Sequence, residues 1–291
     1  VTRAADDQKP KLGIIAGGGS LPILLADACK SSGRFYHMVG IEGFALSADL
    51  APYEHDWTPI GSLGHTLDIL RSNDCRQVVM AGNVKRPDFK SLKMDWRATK
   101  LLPKLLNAAR RGDDALLSVV VKTFEDEGLE IIGADDVLED LLIGSGPLGA
   151  ITPDSHASQD ITRGLEVVRE LGALDIGQAT VICNQLVLAV EAVEGTDAML
   201  DRCLEISLDL RGDPANRRGV MVKIPKPGQE RRVDLPTVGI STLERASAIG
   251  LSGIAVAAGG ALVLDQEKIM AFADMHNMFV FGIDMASGDP S

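Results

Sequence analysis

The sequence predicts two consecutive α/β domains, the first built on a parallel sheet and the second on a mixed one, joined by a flexible linker. Three observations carry this. The 291 residues are 45% hydrophobic, which is more than one comfortable core. Short apolar runs alternate with helical patterns along the chain, as expected of strand–helix–strand units. The stretch Gly144-Ser145-Gly146-Pro147-Leu148-Gly149-Ala150-Ile151-Thr152-Pro153 is dense in turn formers and has no hydrophobic period. The expected domains are therefore 11–143 and 155–285, with the linker over 144–154.

The first domain opens on the apolar run Lys11 to Ala16, followed by Gly17-Gly18-Gly19-Ser20 and a helix from Leu21 to Ala28. Strands follow at Tyr36 to Ile41 and Val78 to Ala81, with a helix over Leu63 to Ser72 between them. Right-handed crossovers make a parallel, Rossmann-like sheet the economical topology. A helix over Leu116 to Glu127, a short strand at Glu130 to Gly133 and a small helix from Asp135 to Leu142 complete it.

The second domain begins with a helix over Ser155 to Leu171. Strands at Ala179 to Cys183 and Gln185 to Ala192 flank Asn184, which suggests a hairpin and hence a mixed sheet. A helix over Thr196 to Ser207, a strand at Val220 to Ile224 and a helix over Thr242 to Ile249 come next. Strands at Gly253 to Ala257 and Ala261 to Leu264, a helix over Asp265 to Met275 and a strand at Phe279 to Gly282 close the pattern.

Composition excludes several functions. A net charge of -12 argues against wrapping nucleic acid, whose phosphates demand a basic stripe. Cys29, Cys75, Cys183 and Cys203 stand far apart, and the five histidines show no paired spacing, so disulfides and structural zinc are not expected. The chain has no run of about 18 apolar residues, and its polar start lacks the apolar heart of a signal peptide. These features point to a cytoplasmic protein whose first ten residues are disordered.

The chemistry-bearing groups concentrate between Glu191 and Gly239. Glu191 and Glu194 follow an apolar run and Lys223 interrupts another; a charge placed so deep costs several kcal/mol unless something pairs with it. Lys223, Lys226, Arg231 and Arg232 could neutralise a diphosphate, with Asp234 holding a metal or orienting water. A surface hairpin with cross-strand ion pairs would explain the same residues. Thr196 or Asp197 at a helix start reads as a cap, yet capping leaves Glu191 and Glu194 unexplained, and on a strand those two face opposite sides. In the first domain, Gly17, Gly18, Gly19 and Ser20 form either a tight βα turn or an anion cradle at a helix N-terminus. Lys85 and Arg86 follow a predicted strand at the edge where open α/β sheets bind ligands. Of Asp113 and Asp114, one is read as capping the following helix and the other as facing outward, with Asp114 also a candidate magnesium ligand.

The elements IAGGGSLP, MAGNVKRP, GDDALL, LDIGQATV, VEAVEGTDAML, VKIPKPGQERRVDLPTVG and ADMHNMFVFG together resemble the LpxI-type UDP-2,3-diacylglucosamine pyrophosphatases of Gram-negative lipid A synthesis, in the family's order from Lys11 to Gly282. Glu230 departs from the pattern, where aspartate is expected, and receives no role. The resemblance implies hydrolysis of UDP-2,3-diacylglucosamine to UMP and 2,3-diacylglucosamine 1-phosphate (lipid X), assisted by Mg²⁺ or Mn²⁺, with water attacking the sugar-side phosphorus. It further implies a homodimer of two-domain subunits that hold the substrate between domains, with at most peripheral contact with the inner membrane. Under it, Asp234, Asp197 and Lys223 are the expected catalytic residues, and Asp234, Glu191, Glu194 and Asp114 the expected metal ligands. Gly17, Gly18, Gly19, Ser20, Lys85, Arg86, Thr196, Lys226 and Gln229 are the expected substrate contacts. The acyl chains call for an apolar groove, with Leu101 to Leu106 and Met278 to Phe281 as candidates. A nucleotide-sugar-binding regulatory protein without turnover is the alternative; a dinucleotide-dependent oxidoreductase is disfavoured because GGGS lacks the glycine spacing.

Overall fold

A computed structural model describes residues 9–85, 95–110 and 112–285. Most of the first ten residues, expected to be disordered, fall outside the described residues, as does Arg86. The chain divides into two units: the first comprises Val1–Leu138 together with Glu230–Asp234, the second Glu139–Gln229 and Leu235–Ser291.

Unit 1 runs β1 (Leu12–Ala16), α1 (Leu21–Ser32), β2 (Tyr36–Ile41), α2 (Ser47–Leu50), β3 (His55–Thr58), α3 (Leu63–Ser72), β4 (Gln77–Ala81), α4 (Trp96–Ala109), α5 (Asp113–Asp126) and β5 (Glu130–Ile131). Its five-stranded sheet has the order β3-β2-β1-β4-β5, and every pairing is parallel. These are the first five strands of the doubly wound order 3-2-1-4-5-6, in which the direction of progression reverses between β1 and β4. β1 is buried along its whole length, as a strand covered by helices on both faces must be. The edge strand β3 reads His-Asp-Trp-Thr; with so little apolar character it carries no period for a sequence reading to find. From Asp135 onward the expected small helix is only a 3-10 turn at Glu139–Leu141.

Unit 2 contains β6 (Gly146–Pro147), α6 (Ser155–Ala173), β7 (Ala179–Cys183), β8 (Leu186–Val190), α7 (Gly195–Cys203), β9 (Val220–Lys223), β10 (Thr237–Val238), α8 (Ile240–Ile249), β11 (Gly253–Ala257), β12 (Leu262–Val263), α9 (Gln266–Met275) and β13 (Phe279–Ile283). Its six-stranded sheet, β6-β13-β11-β9-β7-β8, is mixed: β9, β11 and β13 are parallel, whereas β7, β8 and β6 join antiparallel. The hairpin expected at Asn184 is present. Asn184 and Gln185 have φ of 50° and 64°, the two positive values that a two-residue hairpin turn demands. Buried Asp160 of α6 receives both turn amides, Asn184 N at 3.1 Å and Gln185 N at 2.6 Å.

The 144–154 stretch, expected as a linker, lies in unit 2, where Gly146–Pro147 pairs with β13 and Leu148 N donates to Val280 O at 2.7 Å. Turn-forming composition did not signal this, because the strand consists of only two residues. Met278 to Phe281, one candidate for the acyl groove, is buried core of unit 2, with Met278 and Val280 in one hydrophobic cluster and Phe279 and Phe281 in another.

Candidate active site

The loops after β1 and β4 are tied together by backbone hydrogen bonds. Gly17 N donates to Ala81 O at 2.8 Å, Gly18 N to Asn83 O at 2.9 Å, and Asn83 N to Gly18 O at 2.7 Å. Gly82 turns this corner at φ +90°, and a Cβ there would stand 2.6 Å from Gly18 O, so no other residue fits without displacing backbone. The anion cradle expected from four residues therefore narrows. The Gly17 and Gly18 amides are engaged by the neighbouring loop, which leaves Gly19 and Ser20 at the α1 N-terminus. Ser20 occupies the cap position, but its hydroxyl makes no cap hydrogen bond. Lys85 is exposed beyond β4.

At this switch point unit 1 encloses a cavity of about 480 Å³, within the range of small-molecule pockets. Its walls are mainly apolar: Ile15 and Met80 from the sheet, Ile60 and Leu63, Leu101 and Leu105 from α4, Leu116, Leu117, Val120 and Phe124 from α5, and Val233. Gly17, Thr66, Asn83, Thr123 and Asp234 supply its few polar points. Leu101 and Leu105, four apart on α4, present one helical face to it.

Asp234 reaches this cavity because the Glu230–Asp234 segment is clamped to unit 1. Asp114 Oδ1 accepts Glu230 N at 2.7 Å. The Glu230 carboxylate accepts Arg232 Nε at 2.8 Å and Nη2 at 2.7 Å, and Arg232 Nη1 reaches Glu125 Oε1 at 2.7 Å. Hydrogen bonds from Arg232 hold the Glu230 carboxyl below its ordinary value, and Glu230 and Glu125 push the guanidinium up. Asp234 N closes the turn on Glu230 O at 3.2 Å. Asp114 lies within the first turn of α5, whose cap is Gly112; instead of facing outward beside the helix cap, it receives this segment.

In unit 2 the buried charges form a relay. Lys223, 7% exposed, donates to Thr196 Oγ1 at 3.0 Å and to Thr237 O at 3.3 Å. Thr196 Oγ1 in turn donates to Glu191 Oε1 at 2.6 Å, while Glu191 Oε2 accepts Gln178 N at 3.0 Å. Glu191 is 6% exposed. Both of its oxygens are thus occupied, and the hydroxyl carries the charge pairing between carboxylate and ammonium.

The other ionisable groups of the block are separate. Glu194 pairs with Arg202 at 2.5 Å and Asp197 with Arg245 at 3.2 Å; Glu194 lies past the end of β8 and Asp197 in the first turn of α7, whose cap position makes no side-chain hydrogen bond. Lys226 Nζ meets Asp175 Oδ1 at 2.5 Å, and Lys226 N donates to Gln229 Oε1 at 2.9 Å, which shapes the turn.

Comparison with known proteins matches this arrangement to one family. The model of the LpxI N-terminal domain matches residues 11–141, and that of the LpxI C-terminal domain matches residues 144–281. The UDP-2,3-diacylglucosamine pyrophosphatase LpxI of Caulobacter vibrioides is 48% identical over 274 residues, 94% of this chain and 98% of the relative. The chain belongs to the LpxI family.

In this LpxI-family chain the expected site residues fall into two sets. Gly19, Ser20, Asp114 and Asp234 belong to unit 1; Glu191, Thr196, Lys223, Lys226 and Gln229 belong to unit 2. Glu191 and Glu194, expected to bind one metal, have separate partners: Glu191 accepts from Thr196 and Gln178, and Glu194 pairs with Arg202. Among the described residues no three His, Cys, Asp or Glu side chains converge as a ready cage. Asp234 lines the cavity, and Asp114 accepts the backbone of the segment that carries it. The apolar cavity itself was only half legible. Leu101 to Leu106 was a candidate, but the α5 stripe Leu116, Leu117, Val120 and Phe124 reads in sequence as ordinary core, because the helical period is the same whether it faces side chains or a cavity.

Proposed function

We propose that this protein hydrolyses the diphosphate of UDP-2,3-diacylglucosamine to lipid X and UMP. Its near-full-length likeness to the Caulobacter pyrophosphatase supports this reading. The observation that carries it furthest is the cavity, which combines an apolar wall suited to an acyl chain with the Asp234 carboxylate in its lining. Few reactions need a hydrocarbon chamber beside groups that can bind a polyanion.

In this reading Asp234, with Asp114 beside its segment, holds Mg²⁺ or Mn²⁺, which when bound neutralises charge on the diphosphate and acidifies water. Asp234 orients the attacking water toward the sugar-side phosphorus and accepts its proton, so that UMP departs with the bridging oxygen. The Gly19 and Ser20 amides and the Ser20 hydroxyl bind phosphate oxygens at the positive end of α1. Lys85 adds a longer-range attraction to the substrate phosphates. Asp197, ion-paired to Arg245, acts by positioning the α7 start rather than by touching substrate.

The test is direct. Purified protein, UDP-2,3-diacylglucosamine and Mg²⁺ should release UMP, and Asp234→Asn should lose at least about a hundredfold in kcat, the range of a general base, while still binding substrate. Reaction in ¹⁸O-water should place the label in lipid X. No UMP with either Mg²⁺ or Mn²⁺, despite measured substrate binding, would leave the regulatory binding protein as the correct reading.

A further inference from the structure

We propose that the outer face of α4 docks the protein on anionic phospholipid headgroups. The chain carries a net charge of -12, yet α4, WRATKLLPKLLNAA, contains three cations and no acid. Its two faces differ. Leu101 and Leu105 line the unit 1 cavity, while Trp96 is 63% exposed and Lys100 and Lys104 are exposed on the adjoining face. Trp96, Lys100 and Lys104 recur every four residues and so line one ridge.

The chemistry of that ridge matches a bilayer surface. Lys100 Nζ lies 4.5 Å from the Trp96 ring centroid and the Arg97 guanidinium 5.4 Å from it, so an indole and two cations form one patch. Lys122 of α5 extends the charge along the same shallow depression. Among the described residues the acids beside it are Asp126, Glu127, Asp68 at 4.0 Å from Arg97 and the capping Asp95; Glu127 is already paired with Arg71, so Arg97, Lys100, Lys104 and Lys122 outnumber the remaining acids. Trp is favoured at headgroup level, where its ring is half wet, and each lysine near an anionic leaflet contributes about 1 kcal/mol. An acidic protein would match the same cations and indole, but the helix that carries them also walls an apolar cavity of about 480 Å³, which favours a lipid surface. Because the inner face of the helix walls the cavity, docking here brings that cavity to the lipid surface. This purpose rests on the lipid-substrate reading; the binding itself does not.

The experiment is co-sedimentation of the full chain with vesicles of phosphatidylcholine alone or doped with phosphatidylglycerol, without substrate. The protein should bind the doped vesicles only, release at raised salt, and show a blue shift of tryptophan emission that Trp96→Phe abolishes. Lys100→Ala with Lys104→Ala should weaken binding roughly 30-fold, which is about 1 kcal/mol per lysine, while turnover of detergent-dispersed substrate is unchanged. Equal binding to both vesicle types, indifference to the double substitution, or binding to soluble polyglutamate with none to vesicles would overturn the proposal. Vesicle binding without any wild-type turnover would instead sink the functional reading and leave the docking surface intact.

Discussion

Breaking the Lys223–Thr196–Glu191 relay separates a structural role from a chemical one. Both charged ends are more than nine-tenths buried. Glu191→Gln alone leaves the Lys223 ammonium opposite a neutral amide, and losing one partner of a buried pair costs about 3–5 kcal/mol. Lys223→Met alone leaves Glu191 with its bonds from Thr196 and Gln178 but no cation, at a cost of roughly 1–3 kcal/mol. The double variant removes both charges and keeps the volume, so it should return to within about 1 kcal/mol of wild type, a coupling well above that of independent sites. Tryptophan fluorescence cannot read this, since both indoles, Trp57 and Trp96, lie in unit 1, and two units need not unfold together. Amide hydrogen exchange of β7 and β9, which pair from Ala179↔Lys223 to Ile182↔Val220, reports unit 2 directly. Additive losses in the double variant would refute the relay. Restored exchange protection with no turnover would assign Lys223 a chemical role beyond its structural one.

Two further perturbations test unit 1 through its tryptophans. The Glu230 carboxyl is held below its usual value by Arg232, so its stabilisation is complete above that usual value of 4.5 and disappears as pH falls through the lower native value; urea midpoints of wild type and Glu230→Gln should differ at neutral pH and converge in acid, and a pH-independent gap would mean that the clamp does not depend on charge. Gly82→Ala must place its Cβ 2.6 Å from Gly18 O at φ +90°, which should cost about 1–3 kcal/mol in unit 1 and leave β7 and β9 exchange untouched; an unchanged midpoint would show that the paired loops relax freely.

The sequence was informative where a local period or a turn rule decides the outcome. Tyr36–Ile41, Leu63–Ser72, Ala179–Cys183 and Gly253–Ala257 carry their boundaries in the apolar pattern, and the strands adjoining at Asn184 announce their hairpin. Tertiary structure decided what no window of sequence contains. β3 is held by its pairing with β2 rather than by apolar character, and Gly146–Pro147 is a strand only because β13 offers an edge. Buried charge in the C-terminal half signalled that partners must exist, since desolvation forbids an unpaired ion in a core. It could not say which: Glu191 went to a threonine and an amide, Glu194 and Asp197 to separate arginines, and Asp234 to the cavity of the first unit. Pairing is chosen by distance in space, and the five residues Glu230–Asp234 cross more than a hundred positions of chain to meet Asp114 and Glu125. Family likeness named the chemistry; packing alone determined which of these carboxylates lines a cavity and which are taken up by neighbouring side chains.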